Sequence, residues 1–103
     1  MPDIQLIVKA IKETLNPEKI ILFGSYSRGE QTKDSDIDLA VLKKGSKKHG
    51  EVAKTLTYLY MNGYDWKISP DIHLFSTRDF EERLSNNSFF IKEVAKGKTI
   101  YEA

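Results

Sequence analysis

No cysteine occurs in the chain, which excludes a disulfide framework, a thiolate metal site and a thiol nucleophile. No apolar run approaches the roughly 20 residues that a membrane-spanning helix needs. Met1-Pro2-Asp3 has no cationic stretch leading into an apolar one, so no signal peptide is read. Together these absences lead us to expect a cytoplasmic protein. Charge of either sign is not in excess either. Sixteen Lys and Arg stand against 15 Asp and Glu, a net charge of +1 that gives no global attraction for nucleic acid or an anionic surface. No repeat, low-complexity tail or linker is visible, and 103 residues with 40% hydrophobic and 30% charged content read as one globular domain, 1–103.

The apolar periodicity divides this domain into alternating elements. Asp3 can cap a first helix with Ile4, Ile7, Val8, Ile11 and Leu15 along one side, stopped at Asn16-Pro17. Ile20 to Phe23 reads as a short buried strand ending at Gly24-Ser25, with a helical turn over Ser27 to Gln31. A second strand spans Asp36 to Leu42. Strand parity puts Asp36 and Asp38 on one face and Ile37, Leu39 and Val41 on the core face. After a basic loop, Lys43 to Gly50, a helix from about Glu51 to Met61 shows Val52, Leu56, Leu59 and Tyr60 as its apolar side, with Gly63 as its stop. Ile68 to Phe75 is a third strand, and Ser76 caps a helix over Thr77 to Leu84. A last helix over Ser88 to Lys96 and an edge strand at Thr99-Ile100-Tyr101 complete the pattern. Strands separated by helices predict an α/β (α+β) fold, a small mixed sheet flanked by helices.

The segment Leu22 to Val41, LFGSYSRGEQTKDSDIDLAV, carries the chemistry. Asp36 and Asp38, side by side on one strand face, repel each other, and a cation between them removes that cost. Gly24-Ser25 at a neighbouring strand end offers backbone N–H groups and a hydroxyl to an anion. A divalent metal beside a phosphate satisfies both halves. Gly24 and Gly29 are spaced as in a P-loop, but Glu30 follows where that motif needs lysine, so a P-loop is rejected. No GxGxxG fingerprint is present. Asp71, in Ser69-Pro70-Asp71-Ile72-His73-Leu74, projects by parity opposite to Ile72 and Leu74.

Gly24-Ser25 followed by Asp36-Ile37-Asp38 resembles the nucleotidyltransferase signature of the DNA polymerase beta superfamily. SYSRGE, SDIDLAV and the ending KEVAKGKTIYEA are similar to the minimal nucleotidyltransferases, so the resemblance runs through the whole chain. It implies transfer of a nucleoside monophosphate, AMP from ATP, to a hydroxyl with release of pyrophosphate. It also implies Mg²⁺, as two ions held by Asp36, Asp38 and Asp71, with Asp71 able to act as general base. Gly24 and Ser25 would bind the leaving phosphates, and Arg28 could reach them. Larger relatives carry a helical domain over the acceptor, so the missing wall is expected from a partner or from the acceptor itself. Minimal members are typically paired with a small helical HEPN-family protein, acting as antitoxins that add AMP to a tyrosine of a ribonuclease toxin.

Other readings compete with these. Nucleotidylation of a small molecule such as an aminoglycoside is one, and a non-catalytic module that neutralises its partner by binding is another. Arg28 can pair with Glu30 instead of phosphate, and Asp34 and Ser35 can serve the turn into the strand. His73 shares the face of Asp71 and reads first as its hydrogen-bonded neighbour. The loop with Lys43, Lys44, Lys47, Lys48 and His49 is a solvated connection that could attract an acidic partner. Trp66, Tyr58, Tyr60 and Tyr64 read as core and rim, because their spacing gives no stripe on which bases could stack. Nothing outside Lys43 to Lys48 offers a nucleic-acid groove.

Overall fold

A computed structural model describes residues 3–45 and 48–103; Ser46 and Lys47 of the basic loop lie outside the described residues. Asp3 accepts a hydrogen bond from the backbone N–H of Leu6 at 2.9 Å, and the helix it caps, α1, spans Ile4–Leu15. Asn16 ends it in the left-handed conformation at φ 47°. The chain then enters β1 (Lys19–Phe23), makes one helical turn, α2 (Ser25–Arg28), and continues into β2 (Ile37–Lys43). α3 (Glu51–Met61), β3 (Pro70–Ser76), α4 (Thr77–Ser85), α5 (Phe89–Ala95) and β4 (Lys98–Glu102) follow.

The four strands form one mixed sheet in the order β3-β2-β1-β4. β1 runs antiparallel to both neighbours, whereas β2 and β3 are parallel, Asp38 standing beside Asp71 and Ala40 beside His73. β4 is an edge strand, as expected. Ile20, Leu22, Ile37, Leu39 and Val41 face α1 and α3, where Ile7, Ile11, Leu15 and Leu59 close the first core. Ile21, Phe23, Ala40, Leu42 and Phe75 face α4 and α5, where Phe80, Ile91 and Val94 close a second. Each fully buried aliphatic side chain in these layers contributes about 1.5–3 kcal/mol.

Three expectations need correction. The helical turn after Gly24 begins at Ser25 and ends at Arg28, earlier than the predicted Ser27 to Gln31, because Gly29 at φ 70° terminates it. Asp36 precedes β2 rather than lying in it, since the ladder with β3 begins at the pair Ile37 and Pro70. Tyr60 is 74% exposed; of the expected apolar side Leu59 is buried, and α3 buries Glu51 and Thr55 with it. Polar contacts choose that face. Lys43 donates to Glu51 at 2.7 Å, and the hydroxyls of Thr14 and Thr55 meet at 2.6 Å between α1 and α3.

Candidate active site

The end of β1 fixes the first wall of the site. Gly24 adopts φ 76° and ψ −156°, a conformation open essentially to glycine alone. A Cβ placed there would stand 2.5 Å from Asp38 Oδ2, so Gly24 is also needed to let that carboxylate approach the backbone. Ser25 opens α2, and Ser27 steadies the turn by donating from its hydroxyl to the Gly24 carbonyl at 2.8 Å. A cleft of about 80 Å³ beside it is lined by Gly24, Ser27, Arg28, Glu93, Lys96 and Gly97. A Cβ at Gly97 would lie 2.4 Å from the Leu22 carbonyl oxygen, which pins the turn after α5 against β1 at this cleft.

The second wall is the acidic row. The register places Phe23, Asp38 and Asp71 side by side across β1, β2 and β3, on one sheet face. α4 and α5 cover that face over Ala40 and Leu42, while towards its other end Asp38 is half-buried and Asp71 exposed. Ligand atoms of Asp38, Asp71 and His73 all lie within 4.8 Å of one another. The Asp38 carboxyl is pushed above the usual carboxylate range, first by burial and then by the charge of Asp71, with a smaller push from Asp36. A divalent cation among these groups would reverse the charge repulsion, so the donor set suits one.

Residues 5–103 match the family described as "Polymerase beta, Nucleotidyltransferase". The chain belongs to that family. It is 33% identical over 75 residues to a Methanocaldococcus jannaschii protein named "Putative protein adenylyltransferase MJ0141", a match covering 65% of this chain and 76% of that protein. A second protein of that organism, "Putative protein adenylyltransferase MJ1379", is 54% identical over 33 residues, 32% of this chain. The chain spans only 33% of that relative's length. A solved structure described as "Crystal structure of the toxin-antitoxin with AMP-PNP" superposes with a TM-score of 0.64 at 23% identity, covering 98% of this chain and 74% of that one. At that identity the likeness shows the nucleotidyltransferase fold.

Within this nucleotidyltransferase domain the structure brings together Gly24, Asp38 and Asp71, with Ser25 on the adjoining turn. Asp36, exposed and just ahead of β2, acts on Asp38 through its charge but is not among the converging ligand atoms. Arg28 lines the small cleft, yet its guanidinium pairs with Glu30, both side chains being more than half exposed. His73 is a hydrogen-bond neighbour of Asp71 at 3.2 Å, as its parity suggests. Ser35 accepts from the Thr32 backbone N–H at 2.9 Å and so serves the turn before β2. Lys43 is held by the buried Glu51. Tyr64 is buried and donates to the Ile68 carbonyl, while the Trp66 ring packs edge-on against it at 5.0 Å. Lys96, which sequence reasoning missed, reaches the cleft and pairs with Glu93 at 3.3 Å. A larger groove of about 500 Å³ between α1 and Ile100 contains none of these residues.

Proposed function

We propose that this chain is a Mg²⁺-dependent protein adenylyltransferase that moves AMP from ATP to a tyrosine hydroxyl of a HEPN-family toxin, acting as its antitoxin. The observation that carries the reading is the row of Asp38 and Asp71 facing a Gly24 that has room for no side chain. Family membership supports the reaction class, and the names of the Methanocaldococcus jannaschii relatives support a protein acceptor. The toxin–antitoxin neighbour, described with an ATP analogue, supports the partner and the nucleotide.

In this reading Asp38 and Asp71 hold the cation, with Asp36 completing the set from the loop before β2. Bound divalent ions would supply charge neutralisation for the phosphates and lower the pKa of the acceptor hydroxyl. Asp71, on the open side of the row, takes the acceptor's proton as general base. Gly24 lets the phosphates approach the backbone, and Ser25 offers them its N–H and hydroxyl. Arg28 exchanges Glu30 for phosphate when ATP enters. The acceptor oxygen forms a bond to the α-phosphorus, the bond to the bridging oxygen breaks, and pyrophosphate leaves.

The test is incubation of the protein with α-phosphate-labelled ATP and Mg²⁺ in an extract of its source organism. The Asp36→Asn/Asp38→Asn protein is the control. One labelled protein band, absent with the control, is expected. Pyrophosphate release without a labelled protein would point to a small-molecule acceptor. Neither signal, with neutralisation of a partner retained, would leave a binding module.

A further inference from the structure

The ligand atoms that converge on this face are not those of three carboxylates. They belong to Asp38, Asp71 and His73. His73 lies two residues after Asp71 on β3 and so shares its face, with the small Ala40 as its neighbour in register. Its Nε2 stands 3.2 Å from Asp71 Oδ2. Two adjacent ligands of one octahedral ion, each bonded at about 2.1 Å, lie about 3 Å apart. The imidazole and the carboxylate are therefore spaced as co-ligands already.

The ring is also held in place. Phe23 of β1 packs against it at 5.4 Å between centroids, and Phe90 of α5 at 5.8 Å. The two phenylalanines meet edge-on at 5.9 Å, so three elements make one aromatic corner around the imidazole. Fixing the ring before an ion arrives lowers the ordering cost of using it as a ligand.

We propose that His73 is a ligand of the cation held by Asp38 and Asp71, and that the site consequently prefers Mn²⁺ to Mg²⁺. The inference rests on the reading of this acidic row as a cation site. Mg²⁺ is hard and takes oxygen, whereas first-row divalent ions bind imidazole nitrogen more readily. Ligation uses the Nε2 lone pair and places the ring proton on Nδ1. No other bond changes. The competing role, a hydrogen bond from His73 that merely orients Asp71, would support both ions equally.

Mn²⁺ binding, followed by the electron paramagnetic resonance signal of the free ion, and displacement of bound Mn²⁺ by Mg²⁺ separate the two roles. Both are measured without nucleotide on the wild-type protein, His73→Ala and Phe90→Ala. His73→Ala is expected to weaken Mn²⁺ binding about tenfold or more while changing Mg²⁺ binding by about threefold or less. Pulsed resonance of bound Mn²⁺ is expected to show coupling to a ring nitrogen that His73→Ala removes. Phe90→Ala, altering a half-exposed residue, is expected to reduce the Mn²⁺ preference in part. Equal weakening of both ions, or no nitrogen coupling, would overturn the proposal. Nitrogen-coupled Mn²⁺ without any nucleotidyl transfer would uphold His73 and refute the proposed activity. Transfer by a wild type whose ion preference survives His73→Ala would do the reverse.

Discussion

Gly24 and Asp38 depend on each other: the carboxylate occupies the space a side chain at 24 would need, on a backbone only glycine adopts readily. Gly24→Ala should move the Asp38 carboxylate by a sizeable fraction of an ångström. A displacement near 1 Å costs about 100-fold in rate, so label transfer should fall by about that factor while the circular dichroism spectrum is kept. Asp38 itself is a functional group held against its own stability. Its raised pKa means that folding becomes less favourable as pH rises through the ordinary carboxylate range, when burial and Asp71 oppose the charge. Asp38→Asn should therefore abolish transfer yet melt at or above the wild-type temperature at neutral pH in EDTA; a lower melting temperature would contradict this account. The neighbourhood of Gly24, Asp38 and Asp71 was legible from two sources: the resemblance supplied the Gly-Ser turn and the third carboxylate, and strand parity supplied the face that Asp38 and Asp71 share. Asp36 was misplaced because parity assumes a strand, and β2 begins one residue later, where pairing with β3 starts. Lys96 was missed because only the packing of Gly97 against Leu22 brings the end of α5 to the cleft.

At the scale of elements, the starts of α1 and α4 were legible from their capping residues, whereas the end of α2 at Gly29 was not. Asp3 and Ser76 cap as their positions suggest, and Ser88, read as the first residue of the last helix, caps α5; each accepts from a backbone N–H three residues on. Ser76→Ala should cost about 1 kcal/mol in chemical denaturation, since α4 would lose its first bond. The buried face of α3 was legible only in part, at Leu59. Apolar periodicity favoured Tyr60, but a charged pair decided the rotation, and no hydropathy pattern announces a buried Glu51. Lys43 reaches Glu51 at 2.7 Å and the Lys48 backbone N–H donates to it at 2.7 Å. The hydrogen bond from Lys43 is the main reason the Glu51 carboxyl sits below its usual range, against the opposing pull of burial. A depressed carboxylate stabilises the fold above its unfolded pKa of about 4.3 and loses that contribution as pH falls through the lower folded value. Glu51→Gln should thus destabilise by about 2 kcal/mol at pH 7. The gap between variant and wild type should close below about pH 4. A gap independent of pH would show that Glu51 acts through packing alone.

For the whole molecule, the two cores matter more than any ligand. The sheet is covered by α1 and α3 on one side and by α4 and α5 on the other, and neither core includes Asp38 or Asp71. Cation removal should therefore silence the protein without unfolding it. EDTA is expected to abolish transfer and leave the far-ultraviolet spectrum unchanged, and readdition of a divalent ion should restore activity. Among the described residues no helix is long and apolar enough to cross a membrane. The central claim is that the group transferred is the nucleoside monophosphate. The most direct measurement is paired labelling, with ATP carrying the label on the α-phosphate in one tube and on the γ-phosphate in the other. The account predicts a labelled acceptor from the α-label only, with the γ-label recovered as pyrophosphate. An acceptor labelled from the γ-phosphate would mean phosphoryl transfer and would contradict it.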